Sequence, residues 1–147
     1  MGEETSPLRL SGVSIGFFDS DLVQETAMTL TVYGIPTCTT CKKALQWLDQ
    51  NHIAYEFVDT KQHPPSRAMI ADWVATLGAK PLRNTSGQVY RTLGEEKQTW
   101  TEAQWIDAFA ANAMLLKRPL FVQVGQAIAV GFRPQSPALQ ALLTSQP

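Results

Sequence analysis

The spacing of apolar residues changes several times along the chain, and each spacing predicts a secondary-structure element. Residues 30–33, Leu-Thr-Val-Tyr, form a short β-prone run that is ended by glycine and proline. Residues 39–51 follow with the apolar period of an α-helix. The residues on its apolar face are Cys41, Leu45 and Leu48. Residues 55–58 alternate loosely and predict a second strand, so this part of the chain is a βαβ unit with two parallel strands.

The middle of the chain predicts two further helices separated by an irregular segment. The first opens at Pro64-Pro65-Ser66 and ends at Gly78. Its buried stripe consists of Met69, Ile70, Trp73, Val74 and Leu77. Residues 83–94 contain Ser86-Gly87 and predict a loop or a broken helix. Residues 101–104 have the spacing of a capping box and open the second helix. Its apolar residues are Trp105, Ile106, Phe109 and Ala110.

The last part of the chain predicts a hairpin and one more helix. Residues 120–124 and 127–130 are β-prone, and Gly125-Gln126 between them has the length of a two-residue turn. Ser136-Pro137 caps and starts a final helix. Its inward-facing residues are Leu139, Leu142 and Leu143. The predicted order is therefore βαβ, a helical insert, then ββα, which indicates an α/β fold.

Charge and composition divide the chain into two parts. The chain has 147 residues and a formal net charge of -1, but residues 1–28 hold five acids and one base, which leaves +3 on the remainder. We interpret residues 1–28 as an acidic, disordered tail or a mis-assigned start, and residues 29–147 as one domain. The mildly basic domain suits an anionic small molecule or an acidic partner surface.

Several classes of function are excluded by the same totals. A net charge near zero gives no case for direct nucleic acid binding or for an anionic membrane surface. No apolar run approaches the length of a membrane span, and no secretory signal is readable at the start. With only two cysteines, the chain has no disulfide framework of the secreted type. These observations predict a cytoplasmic protein.

Cys38 and Cys41 are the residues most suited to chemistry. Cys38 falls where the first strand ends and the first helix begins, so unsatisfied N–H groups and the positive end of the helix dipole face its sulfur and favour the thiolate. Cys41 lies one turn further along the same face, close enough to form a disulfide with Cys38. We predict that Cys38 attacks and Cys41 resolves. A Cys-x-x-Cys pair at the first strand-to-helix junction of a βαβ–ββα chain is the thioredoxin-like pattern.

Two simpler interpretations of the cysteines remain. Cys41 lies on the apolar helix face, so packing alone could explain it. A zinc site is disfavoured because ten residues separate Cys41 from His52 and another ten separate His52 from His63, unlike the closely spaced histidines of finger-type sites. We therefore expect no metal and read both histidines as surface residues.

Several motifs in a fixed order resemble the arsenate reductase/Spx family of thioredoxin-like proteins, which has ArsC-like, Spx-type and MgsR-type members. The first is residues 33–44, with the sequence YGIPTCTTCKKA. The others are Pro64-Pro65-Ser66, Asn84-Thr85-Ser86-Gly87, Tyr90-Arg91-Thr92-Leu93 and residues 115–120, LLKRPL. The resemblance runs from about Thr29 to Phe132. It implies a thioredoxin-like core with a helical insert. It does not decide whether the protein is an enzyme or a regulator, because the family contains both.

The resemblance also implies roles for residues outside the cysteine pair. Arg118 matches an anion-binding arginine of the family, and Pro119 a proline expected to be cis and to face the catalytic loop. Arg133 matches a second arginine, and the third arginine position falls on Asn84. Taken without the resemblance, Arg118 is more simply a solvated charge, and so are Arg83 and Arg91 on their loop. The missing third arginine argues against arsenate held by three arginines, and the second cysteine favours a redox switch.

The favoured function is a thiol–disulfide oxidoreductase of arsenate reductase type. Cys38 attacks a disulfide or a small oxyanion held by Arg118 and Arg133, and Cys41 or glutathione resolves the intermediate. The reductant partner is glutathione/glutaredoxin or thioredoxin, with glutathione as a co-substrate and no bound cofactor. The alternative is a regulator in which a Cys38–Cys41 disulfide controls docking onto RNA polymerase. A domain with the fold but without redox chemistry is the weakest hypothesis.

Overall fold

A computed structural model of the protein describes residues 29–144. The interpretation of residues 1–28 as a tail therefore lies outside the described residues. The described part contains four strands: β1 (Leu30–Gly34), β2 (Tyr55–Asp59), β3 (Leu120–Gln123) and β4 (Gln126–Val130). They form one sheet in the order β2-β1-β3-β4. The β1–β2 pair is parallel and the other two pairs are antiparallel, as the βαβ–ββα order requires.

Five α-helices connect and cover the described strands. They are α1 (Thr39–Gln50), α2 (Arg67–Leu77), α3 (Gln88–Thr92), α4 (Glu102–Ala111) and α5 (Pro137–Thr144), with short 3-10 segments at Glu95–Thr99 and Ala113–Leu115. Ser66 caps α2 by accepting a hydrogen bond from Met69 N, and Gly78 ends it with φ of 88°. Thr101 and Gln104 form the capping box of α4 in full. The helical insert predicted between the two halves of the sheet is confirmed.

The side chains of the sheet alternate between two apolar clusters on its opposite faces. Leu120 and Val122 belong to one cluster and Phe121 between them to the other, as expected where successive side chains of a strand point to opposite faces. One face is covered by α2 and α4, whose largest buried residues are Trp73, Trp105 and Phe109. The other face is covered by α1 and α5, with Leu48 and Leu139 at its centre. The sheet is therefore the middle of three layers.

One detail of the predicted hairpin is wrong. The turn is formed by Val124 and Gly125 and not by Gly125-Gln126, because Gln126 already pairs with Gln123. Both turn residues have positive φ, 54° and 75°, which suits a two-residue hairpin turn but is rarely adopted by a valine. On α5 the prediction is confirmed: Leu139 and Leu142 are buried, and Leu143 is half-buried and packs against the same apolar cluster.

Candidate active site

The cysteine pair lies where β1 gives way to α1. Cys38 is the N-cap residue of α1 and has an extended backbone conformation, with φ of -78° and ψ of 122°. Its amide donates to Ile35 O at 3.2 Å, and its carbonyl accepts from Lys42 N at 3.0 Å. The loop is thereby closed on itself, so that the N–H groups of the first helical turn face the Cys38 sulfur. The junction predicted from the sequence is confirmed.

The surroundings of the Cys38 sulfur favour its anion. Partial burial raises the pKa of Cys38, but hydrogen bonds oppose this effect. The opposing effects come from the backbone and thiol of Cys41, the backbone of Thr40 and the side chain of Arg118, although no first-turn N–H is positioned to form a capping hydrogen bond with the sulfur. Together these groups lower the pKa of Cys38 below its ordinary value. Lys42 and Lys43, the charges nearest in sequence, are exposed and are not among these groups.

Cys41 has the opposite environment. It is 1% exposed, and burial raises its pKa to about 11, helped by the hydrogen bond and negative charge of Cys38. Its sulfur lies against β1 at Gly34: a Cβ added to that glycine would be 2.5 Å from Cys41 Sγ. Any side chain at residue 34 would therefore displace the second sulfur. Both cysteines are free thiols in this structure.

The alkylation of Cys38 by iodoacetamide is expected to level off at lower pH than the alkylation of free cysteine. Only the thiolate reacts, so the rate rises with pH, and a lowered pKa moves the midpoint of that rise towards acid. Cys41 is expected to stay unmodified in the same range because its pKa is about 11. Mass spectrometry of digested wild-type protein, which assigns the label to each cysteine, gives both rates. A midpoint at or above that of free cysteine contradicts the proposed thiolate.

Cys38 opens onto a cleft of about 340 Å³. The lining residues come from distant parts of the chain and are Cys38, Thr40, Asn84, Ser86, Lys117, Arg118, Gly131, Phe132 and Arg133. The structure thus brings Arg118, Arg133 and Asn84 together with Cys38. Pro119 does not line the cleft: it is buried beside it, follows a cis peptide bond as the resemblance implied, and accepts a hydrogen bond from Gly131 N at 2.8 Å.

Arg118 is the best-placed anion-binding group in the cleft. Besides its contact with the Cys38 sulfur, its Nε and Nη1 atoms are buried and have no hydrogen-bond partner. Buried guanidinium nitrogens without partners are costly, and they are satisfied when an oxyanion or carboxylate binds beside them. The interpretation of Arg118 as a solvated charge is therefore wrong.

Asn84 is held rigidly in the wall of the cleft. Its backbone N–H donates to Leu115 O at 2.8 Å, its Nδ2 donates to Met114 O at 3.4 Å, and its Oδ1 accepts from Ser86 Oγ at 3.4 Å. The following loop is tied down by Arg91, whose Nη1 donates to Ser86 O at 2.9 Å. Asn84 therefore offers the cleft a fixed amide and no charge.

Arg83 is not the surface charge that its loop position suggested. Its guanidinium carbon lies 4.1 Å from the centre of the Trp105 ring, and its Nε is buried. Residue 83 also forms an isolated antiparallel β-bridge with Leu116. Residues 84 and 117 therefore lie on two neighbouring extended segments. A stacked arginine on one side and Asn84 on the other is the alternation expected of an extended segment. Arg83 therefore packs against the core of the helical insert.

Five residues of the cleft were not predicted from the sequence. They are Thr40, Ser86, Lys117, Gly131 and Phe132. Lys117 could have been predicted, because it directly precedes the predicted anion-binding residue Arg118 in the sequence. Across residues 29–144, no group of three or more metal-ligating side chains is found, and His52 and His63 are exposed. None of the helices in this part of the chain is long and apolar enough to span a membrane.

Comparison with known proteins decides which family this arrangement represents. The model of the ArsC family matches residues 33–138, which include the cysteine pair and the whole cleft. The chain belongs to the ArsC family. An uncharacterized protein of Bacillus subtilis, YusI, is 33% identical over 110 residues, which are 72% of this chain and 92% of YusI.

Other members of the ArsC family have been given names that suggest different functions. A crystal structure described as a possible arsenate reductase from Streptococcus mutans is 35% identical, with a TM-score of 0.66 and coverage of 72% of this chain and 92% of that one. The global transcriptional regulator Spx 2 of Lactococcus lactis is 27% identical over 95 residues, 63% of this chain and 72% of the regulator. The α/β thioredoxin-like class is confirmed, and the family contains both an enzyme name and a regulator name.

Proposed function

We propose that this ArsC-family protein is a thiol oxidoreductase of arsenate reductase type, with Cys38 as its nucleophile. The proposal rests on the observation that the Cys38 sulfur and the Arg118 guanidinium lie side by side in one cleft. The pKa of Cys38 at the start of α1 is lowered, and the Arg118 nitrogens beside its sulfur are buried without partners. A thiolate next to an unfilled anion-binding group is suited to attack on an oxyanion.

The proposed reaction has two steps. The Cys38 thiolate attacks the arsenic of arsenate, so that an S–As bond forms and one As–O bond breaks. The departing oxygen takes protons from an arsenate hydroxyl group and from solvent and leaves as water, while Arg118 and Arg133 neutralise the remaining oxygens. A second thiol then attacks the Cys38 sulfur. The S–As bond breaks, its electron pair leaves with arsenic, and arsenite is released. Two thiols are oxidised to one disulfide, and As(V) is reduced to As(III).

Cys41 or glutathione supplies the second thiol. Part of the high pKa of Cys41 comes from the negative charge of Cys38 and from the hydrogen bond between the two sulfurs. Both effects end when Cys38 is bonded to the substrate, so Cys41 becomes more acidic at the stage when it must attack. Cys41 is buried, whereas glutathione can reach the Cys38 sulfur directly through the open cleft. A disulfide substrate would follow the same sequence, with a thiolate leaving in place of the oxygen.

The experiment is arsenate-dependent turnover with either glutathione and glutaredoxin or thioredoxin and its reductase. Cys38→Ser is expected to lower kcat/KM by about a thousandfold or more, because the serine hydroxyl is not ionised at neutral pH. Cys41→Ser distinguishes the two resolving thiols: activity that survives only with glutathione assigns that role to glutathione. The proposal fails if neither arsenate nor a disulfide substrate gives turnover that depends on Cys38.

Asn84 supports a second candidate function, a redox-switched regulator. Where a third arginine would hold an oxyanion, the cleft has a neutral amide, while the two thiols remain in hydrogen-bond contact. Such a site also suits reversible disulfide formation between the two cysteines. The regulator name carried by Spx 2 makes RNA polymerase the partner to test. Binding of purified RNA polymerase to the oxidised and the reduced protein is the measurement, and equal binding or no binding rejects this alternative.

A further inference from the structure

The cleft beside Cys38 carries more positive charge than the resemblance assigned to it. Lys117, Arg118 and Arg133 line it, and none of its lining residues is acidic. Within residues 29–144, no carboxylate forms an ion pair with any of these three residues. Cations that share a cleft without carboxylate partners repel one another, and an anion bound among them relieves that repulsion.

The Lys117 side chain is directed along the cleft by the glycine opposite it. A Cβ added to Gly131 would lie 3.2 Å from Lys117 Cε, 3.7 Å from Nζ and 3.9 Å from Cδ. The aliphatic stem of Lys117 therefore runs across the bare backbone of Gly131, which has φ of 78°. A larger residue at position 131 would push the ammonium away from its present position.

The backbone of Lys117 is fixed, although its side chain is exposed. The Lys117 N–H donates to Leu82 O at 2.8 Å, next to the bridge between Arg83 and Leu116. The same pairing holds Asn84 on the facing segment. Lys117 and Asn84 thus share one wall of the cleft, and the lysine supplies a charge on the side where the asparagine supplies none.

We infer that Lys117 is a substrate-binding residue of this site, which supplies the third positive charge for a small anion with more than one negative charge. Arg118 holds the anion close to the sulfur with a rigid guanidinium. A cleft of about 340 Å³ is larger than a tetrahedral oxyanion. The flexible Lys117 side chain can therefore move its ammonium group into contact with the oxygens of the bound anion. The inference rests on the proposed function for the identity of the anion, but not for its test.

The test compares the alkylation of Cys38 by iodoacetate, which is negatively charged, and by iodoacetamide, which is neutral. Both rates depend on the same fraction of Cys38 thiolate, so this fraction cancels in their ratio. The ratio therefore measures the electrostatic potential that a negatively charged reagent meets at the cleft. At low ionic strength, Lys117→Met is expected to lower the iodoacetate rate about three- to tenfold, with the iodoacetamide rate within about twofold of the wild type. Added salt is expected to reduce the difference.

Two variants serve as controls for this measurement. Lys117→Arg keeps the charge and is expected to keep the wild-type ratio. Lys80→Met removes an exposed lysine that does not line the cleft and is expected to change nothing. Methionine at 117 retains an unbranched stem over Gly131, so loss of packing does not confound the result. A wild-type ratio in Lys117→Met overturns the inference.

Turnover separates the failure of this inference from the failure of the proposed function. If arsenate is the substrate, Lys117→Met is expected to raise its KM about three- to tenfold with a smaller change in kcat. Wild-type protein without turnover but with a Lys117-dependent alkylation ratio rejects the proposed reaction and supports the lysine as an anion-binding residue. Turnover with an unchanged ratio and an unchanged KM supports the reaction and rejects the role of Lys117.

Discussion

Arg118→Ala is expected to lower kcat/KM for arsenate about 100- to 1000-fold, the range found when a preorganised donor to a developing negative charge is removed. Two effects combine in this loss. The Cys38 sulfur loses one of the hydrogen bonds that lower its pKa, and the oxyanion loses the group with unpartnered nitrogens. The alkylation midpoint of Cys38 is therefore expected to move to higher pH in the same variant, because the thiolate is stabilised less.

Two matched substitutions interpret that result. Arg118→Lys keeps a positive charge but not the planar fork, so it is expected to restore part of the pKa shift and little of the turnover. Arg91→Ala removes an exposed arginine that contacts the neighbouring loop but does not line the cleft, and it is expected to cost far less. Wild-type kcat/KM in Arg118→Ala would show that the substrate binds elsewhere.

Trp105→Ala is expected to lower the free energy of unfolding by about 3–5 kcal/mol, the cost of emptying a large buried site. Trp105 is 1% exposed and contacts the rings of Tyr90, Trp100 and Phe109. It also lies under the guanidinium of Arg83. A loss of this size is a large part of the total stability of an ordinary domain, about 5–15 kcal/mol. Urea unfolding followed by circular dichroism measures it.

Trp47→Ala is the matched control for that measurement. Trp47 lies on α1, is only half-buried, and packs at the edge of an apolar cluster, where its one ring contact within residues 29–144 is with Phe132 at 6.0 Å. Its replacement is expected to cost clearly less than that of Trp105, because fewer packed atoms leave a cavity. Similar losses for the two tryptophans would show that the helical insert does not depend on the Trp105 cluster.

The parts of the site that depend on local chain geometry could be predicted from the sequence. Cys38 at the start of α1 follows from a strand, a glycine, a proline and a helical period in succession. The capping box of α4 follows from the spacing of Thr101 and Gln104 in the same way. These signals are local because hydrogen bonds at helix ends join residues only a few positions apart.

The parts that depend on tertiary contacts could not be predicted in this way. Arg83 reads as a surface charge because nothing near it in sequence reveals that Trp105, 22 positions away, lies beneath it. Lys117 was missed because its position over Gly131 depends on the hairpin between them. The hairpin turn was placed one residue late because a valine at positive φ is too rare to be expected.

The residues of the cleft come from distant segments of the chain, so the binding of an anion in the cleft is linked to the stability of the whole fold. The walls of the cleft come from the start of α1, from residues 84 and 86, and from residues 117–118 and 131–133, so the cleft exists only while the sheet and the insert remain assembled. An anion that binds the assembled state alone adds to its stability in proportion to the logarithm of its concentration above Kd. The midpoint of thermal unfolding would therefore rise with the concentration of that anion.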